Sequence, residues 1–274
     1  MTLSIAWVRN VHNCEELVIA SDSRLNGGVR WDECPKIITL PRSDSAICFA
    51  GNSHYTYPIM MQLINAISAY GRSRDRAMDL HDLKGFALNV FNSLQSSVVF
   101  DNFITRDSEL NETEFILGGY SWIRKSFSIF LIQYSRHYKK FVVRPAFNLG
   151  RLGKIIFAGD WKHKGKHRLV ERLRKKYGVN LAGDNVQGFD MEPLEALSDL
   201  LLEAGRDDTI GGPPQLVKVY QHMNCKPIGV LWPPGVETPE RTVLGRKLFE
   251  FEDSDHWFID IKTLRTQRIE KPQI

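Results

Sequence analysis

Cysteine is scarce in this chain of 274 residues: there are 4, Cys14, Cys34, Cys48 and Cys225, widely separated and without a C-x-x-C pair. That spacing argues against structural zinc and against a disulfide framework, and it fits a reducing cytoplasm. No apolar run reaches the roughly 18 residues of a membrane-spanning helix. The longest, Phe127 to Tyr134 and Glu114 to Tyr120, stop at strand length. Met1 to Arg9 carries no basic leader, extended apolar stretch or small-residue cleavage site, so no secretory signal is expected. Charge of one sign is not in excess either, since 36 basic and 32 acidic residues leave a net +4. A hydrophobic fraction of 43% excludes a disordered chain. Glycine-rich dinucleotide and phosphate loops, G-x-S-x-G, HExxH and internal repeats are all missing. Their absence argues against nucleotide cofactors, a nucleophile-elbow serine triad and zinc peptidase chemistry.

What is present begins as β-structure. Leu3 to Val8 and Leu17 to Ala20 read as a hairpin, Asn26-Gly27-Gly28 as a turn, and Lys36 to Leu40 and Ala46 to Ala50 as two further strands. The period then changes. His54 to Tyr70 is expected to be helical, with Pro58 in its first turn, and Asp79 to Ser97 forms a second helix with an aspartate at its start. Phe115 to Tyr120, Phe127 to Tyr134, Phe141 to Val143 and Ile155 to Gly159 return to strand character. Helices follow at His163 to Tyr177 and Met191 to Ala204, the second closed by Gly205, before a hairpin of Leu216 to His222 and Ile228 to Trp232. This order predicts two sheets covered by helix layers, not the alternation of a dinucleotide-binding domain. Residues 1–232 form the domain. Residues 233–274 form an extension that packs on it or on a neighbouring subunit, with Trp257, Phe258 and Ile259 seeking burial.

Three residues suggest chemistry. Thr2, once Met1 is removed, carries a hydroxyl and a free α-amine, so one residue can supply both nucleophile and base. Asp22 and Lys36 sit where two strands could bring a carboxylate and an ammonium to that threonine. On the residues alone two readings stand, a tuned nucleophile or a chance Met-Thr start beside a surface ion pair. The basic helix from His163 to Lys176 reads as a solvated or docking face and not as a nucleic-acid site, because core-spaced apolar residues interrupt it. His163 and His167 lie among lysines and make a poor metal pair. Trp161, Trp232 and Trp257 read as packing anchors.

Taken in order, these segments resemble the proteasome β-subunit group of N-terminal nucleophile (Ntn) hydrolases, in its simple bacterial form. Thr2 heads an apolar strand, Val18-Ile19-Ala20-Ser21-Asp22-Ser23-Arg24 and Lys36-Ile37-Ile38 are similar to two family segments, and Phe49-Ala50-Gly51 precedes a long helix. Arg206-Asp207-Asp208-Thr209-Ile210-Gly211-Gly212 resembles the family's Arg-Asp-x-x-Ser-Gly-Gly. The resemblance spans residues 2–232 and implies an α+β, four-layer αββα sandwich with two antiparallel sheets between helix layers. It implies Thr2 as nucleophile, Lys36 as its electrostatic tuner, Asp22 as the group orienting Lys36, Gly51 as an oxyanion donor and Asp207 as a support of the amine. It also implies a cytoplasmic threonine peptidase without cofactor or metal, acting on a peptide or protein and assembled as a homo-oligomer, with an ATPase or another partner left open. Activation would need methionine removal alone. Two departures stand out: Ile210 replaces the serine before the double glycine, and Asp160 stands near the position of another supporting serine. They leave a second reading open, a catalytically silent scaffold or assembly protein on the same fold.

Overall fold

The computed structural model describes residues 2–11, 14–26, 29–99, 109–178, 188–252 and 256–268. The turn residues Gly27 and Gly28, and part of the first hairpin's connection, lie outside that set. The fold is mixed α/β with antiparallel sheets, none closed.

The first hairpin forms as its alternation predicts. Strand β1 (Ser4–Val11) pairs with β2 (Cys14–Ser21) in a register from Ser4 opposite Ser21 to Val11 opposite Cys14. Short strands β3 (Leu25–Asn26) and β4 (Arg30–Trp31) pair with each other. A five-stranded sheet runs in chain order through β5 (Ile37–Thr39), β6 (Ser45–Ala50), β7 (Glu114–Ser121), β8 (Ser126–Ser135) and β9 (Lys140–Pro145).

The larger, ten-stranded sheet is centred on the first hairpin. On one side of β1 lie β11 (Lys154–Ala158) and β10 (Phe147–Asn148). Beyond β2 come β12 (Gln215–Tyr220), β13 (Asn224–Trp232), β14 (Glu240–Val243) and β15 (Arg246–Lys247). Strand β16 (Trp257–Asp260) runs parallel to β13 and pairs with β17 (Thr266–Arg268). The C-terminal extension therefore continues this sheet, burying Phe258 and Ile259 but leaving Trp257 half exposed, against its expected role as an anchor.

Because side chains alternate along a strand, β1 serves two cores. Leu3, Ile5 and Trp7 join Leu169 and Leu173 of helix α4 (Lys162–Tyr177) and Leu194 and Leu197 of α5 (Glu192–Glu203). Ala6 and Val8 face the other way, towards Cys48 of β6 and Ile116 and Leu131 of the five-stranded sheet. A third cluster joins that sheet to α1 (Ser53–Ala69) and α3 (Leu80–Ser96) through Leu63, Phe91 and Phe115. A one-turn helix, α2 (Gly71–Arg74), separates the two. Each large apolar side chain so buried contributes about 1.5–3 kcal/mol, and Trp7, Phe91 and Phe115 are wholly covered.

The helix ends refine the sequence reading. Asp79 caps α3 by accepting from the His81 N–H. Helix α1 starts at Ser53 under an Asn52 cap, so Pro58 lies in the second turn, not the first, and cannot donate to the His54 carbonyl. Helix α5 ends in extended backbone at Ala204, so Gly205 does not close it in the left-handed form. The basic face of α4 is less solvated than its composition suggests. Arg172 pairs with Asp199 at 2.6 Å, Arg168 with Glu203 at 2.7 Å and Lys176 with Glu192 at 2.6 Å, all three acids on α5.

Candidate functional site

The chain's first described residue lies at the end of β1, where β1, β2 and β11 meet. Ser4 stands between Ser21 on one side and Ala158 on the other. Residues that leave β2 and β11 at that end therefore surround Thr2. Asp22 follows β2, and its own N–H donates to the Leu3 carbonyl at 3.2 Å. Gly159 and Asp160 follow β11. Lys36 enters from the five-stranded sheet just before β5, where its carbonyl accepts from Phe49 N at 3.2 Å.

Lys36, Asp22 and Thr2 are 1%, 0% and 1% exposed, and they touch. The Lys36 ammonium donates to Thr2 Oγ1 at 2.6 Å and to Asp22 Oδ1 at 2.9 Å. Asp22 is in turn held by three backbone N–H groups: Leu3 at 3.1 Å, Arg24 at 3.0 Å and Gly211 at 3.3 Å. Burial pushes the Asp22 carboxyl above its ordinary value, while the Lys36 charge and these hydrogen bonds pull it back part of the way. A lysine aimed at a hydroxyl in this dry setting favours the alkoxide form of that hydroxyl.

Gln215, at the start of β12, ties the floor together. Its Oε1 accepts from Lys36 N at 2.8 Å and Ile37 N at 3.3 Å, and its Nε2 donates to Cys34 O at 2.7 Å and Asp22 O at 3.2 Å. One buried amide thus links the segments that carry both charged residues. Burial pushes the nearby Cys48 thiol up to about 11. It is a neutral thiol near pH 7 and supplies no competing thiolate.

The other side of Thr2 is shaped by Gly159, which has φ +98° and packs so closely that a Cβ there would stand 1.9 Å from the Thr2 carbonyl oxygen and 3.4 Å from Ala50 Cβ. Only glycine fits this contact. Its N–H donates at 2.7 Å to Glu114, a buried acid whose second oxygen accepts from Lys162 at 2.8 Å. The same contact brings the end of β6 beside Thr2, and Gly51 follows it with φ +112°. No hydrogen bond among the described residues uses the Gly51 N–H.

The Thr2 nitrogen donates to Asp160 Oδ1 at 2.6 Å, and Thr209 Oγ1 donates to Asp160 Oδ2 at 2.6 Å. Asp207 is exposed, and no hydrogen bond among the described residues takes it to Thr2, Asp22 or Lys36. Ile210 is wholly buried in the core against α5. The structure thus brings Thr2, Asp22 and Lys36 into contact, sets Gly51 directly after the strand end that packs near Gly159, and leaves Asp207 in solvent. Asp160, not Asp207, accepts from the Thr2 nitrogen, and Thr209 donates to Asp160. Gln215, Thr209 and Glu114 escape sequence reading because each is a single polar residue at a strand or turn boundary, linked to the site only through space. Among the described residues no group of three or more His, Cys, Asp or Glu side chains could hold a metal ion, and no helix is long and apolar enough to cross a membrane.

Comparison with protein-family models and with curated proteins gave no match for this chain.

Proposed function

We propose that this protein is an N-terminal threonine hydrolase of the Ntn type, a peptidase acting on peptide or protein amides, on an αββα sandwich. The observation that carries the reading is the Lys36 ammonium placed 2.6 Å from Thr2 Oγ1 and 2.9 Å from Asp22. A structural ion pair would have no need of a threonine hydroxyl at the start of the chain. Three apolar clusters, between α4–α5 and the large sheet, between the two sheets, and between the small sheet and α1–α3, support the layer order.

The chemistry follows from the atoms. Removal of Met1 turns the Thr2 amide nitrogen into a free amine. That amine takes the Oγ1 proton, directly or through one water, as Oγ1 attacks the substrate carbonyl carbon. The Lys36 charge stabilises the developing alkoxide, and Asp22 keeps Lys36 aimed. The substrate's C=O becomes a C–O⁻, and the N–H of Gly51, the residue after β6, is the donor assigned to it in this reading. Such a donor contributes about 2.7–4 kcal/mol to the transition state. Collapse breaks the C–N bond, and the protonated amine passes its proton to the leaving nitrogen. Water then attacks the Thr2 ester, gives a proton to the amine, and releases the acid with Oγ1 reprotonated.

Intact-mass analysis and a β-lactone probe, which acylates a threonine hydroxyl, test this directly. Loss of Met1 and one adduct mapping to Thr2, absent in Thr2→Ala, are expected. Retained Met1, or labelling undiminished in Thr2→Ala, would make the buried trio structural and the chain a scaffold.

A further inference from the structure

Asp160 is the one residue of the site that stands in solvent; Thr2, Asp22 and Lys36 are buried. It makes two short bonds in opposite directions along the chain, accepting from Thr2 N and from Thr209 Oγ1, each at 2.6 Å. Its place is fixed by the glycine before it, whose N–H is anchored on Glu114, and by Trp161 N, which donates to the Thr2 carbonyl at 3.4 Å. A carboxylate at that distance is more than an acceptor. A hydroxyl would orient an amine without changing its charge balance, whereas a carboxylate favours the ammonium form and withholds the free base until higher pH.

We infer that Asp160 orients the Thr2 amine and sets the pH at which it becomes a working base, with Thr209 as the positioning residue that shares the Asp160 charge. The inference rests on the threonine-hydrolase reading. The other charges around the site come from four elements: Lys36 ahead of β5, Asp22 after β2, and Glu114 of β7 paired with Lys162 of α4. Lys36 and Asp22 offset each other in a contact pair, as do Glu114 and Lys162. Asp160, among the described residues, has a neutral hydroxyl as its only other hydrogen-bond partner. Solvent screens it, so its effect falls at the low end of the usual range, about one pH unit.

The test is the β-lactone labelling rate as a function of pH, which reads Oγ1 attack without knowledge of the natural substrate. The lactone's acyl C–O bond breaks, a Thr2 ester forms, and the proton leaving Oγ1 ends on the released alkoxide. Asp160→Asn is expected to move the acid limb of this profile to lower pH by about one unit, a labelling rate about tenfold higher than wild type on that limb once each is scaled to its own plateau. Thr209→Val, which leaves the carboxylate unshared, is expected to move it upwards by a smaller amount. A merely structural role would lower the plateau and leave the limb in place. Thr2→Ala runs in parallel. Surviving labelling there removes the hydrolase reading and this inference together. A silent Thr2→Ala with an Asp160→Asn limb that stays put or rises overturns the inference alone. Should Asp160→Asn fail to fold, the direction of the Thr209→Val shift decides: upwards supports the inference, while no shift or a downward one refutes it.

Discussion

Two ion pairs are buried in this protein to the same depth and are used differently. Lys36 and Asp22 are 1% and 0% exposed, and Arg42 and Asp44, on the turn between β5 and β6, are 0% and 0%. Arg42 grips Asp44 with both arms of its fork, at 2.7 and 2.8 Å, and spends a third bond on the Met78 carbonyl at 2.7 Å. Asp44 also accepts from Ser45 Oγ at 2.9 Å. That pair pins a turn to the segment ahead of α3, and Arg42 Nη1 is left buried without a partner among the described residues. Lys36, a compact point charge with three donors, gives one bond to Asp22 and has another for the Thr2 hydroxyl. What separates a structural pair from a tuning pair here is where the remaining donor lies: the Lys36 ammonium meets the Thr2 hydroxyl, whereas Arg42 Nη1 meets no acceptor among the described residues.

Substitutions sharpen or break this contrast. The largest effect is expected at Lys36: Lys36→Ala should slow β-lactone labelling of Thr2 on the order of 10²–10³-fold, the scale of losing one preorganised electrostatic contact at a reacting oxygen. Labelling within tenfold of wild type would mean that the Lys36–Thr2 contact does no chemical work. Next comes Arg42→Met, which strands Asp44 and should lower the unfolding free energy by about 3–5 kcal/mol. Urea melts would read it, with the labelling rate per folded molecule unchanged. Labelling that fell along with stability would show the two pairs to be coupled and the contrast false.

The smallest effect concerns pH. Burial holds the Asp22 carboxyl above its ordinary 3.8, so on acidification the folded protein takes up this proton before the unfolded chain does. The stability this provides is complete below 3.8 and is lost as pH rises through the raised folded value. The urea midpoint of wild type minus that of Asp22→Asn should therefore shrink from about pH 3 to pH 7. A difference that widened instead would rank the Lys36 attraction above burial.

How far the site could be read in advance depended on how each residue announces itself. Thr2, Asp22 and Lys36 belong to segments whose order along the chain has a recognisable form, so their meeting was legible. Asp160 was legible only as an irregularity, a carboxylate where a hydroxyl was expected. Thr209, one position before the conspicuous Ile210, gave no sign, because its role depends on which of two neighbouring side chains turns inward. The structure buries Ile210 against α5 and turns Thr209 towards Asp160. Asp207 failed for the same reason: a turn directs it to solvent. The pairing of α4's basic face with α5 was equally hidden, since the basic set on one helix does not name the element that carries its acids.

The sequence by itself determined the alternation of apolar residues that makes β1 and β2 a central hairpin, the caps that start α1 and α3, and the glycine at 159 that lets β11 end against Thr2. These are local consequences of side-chain size, backbone freedom and period, and they hold whatever the rest of the chain does. Tertiary structure alone decided which acid faces the Thr2 nitrogen and which amide joins the segments beneath Lys36. Those outcomes depend on distances of 2.6 to 3.3 Å between residues more than a hundred positions apart, such as Thr2 and Asp160 or Ile37 and Gln215. Hydrogen-bond energies change steeply over such distances, and no one-dimensional pattern encodes them.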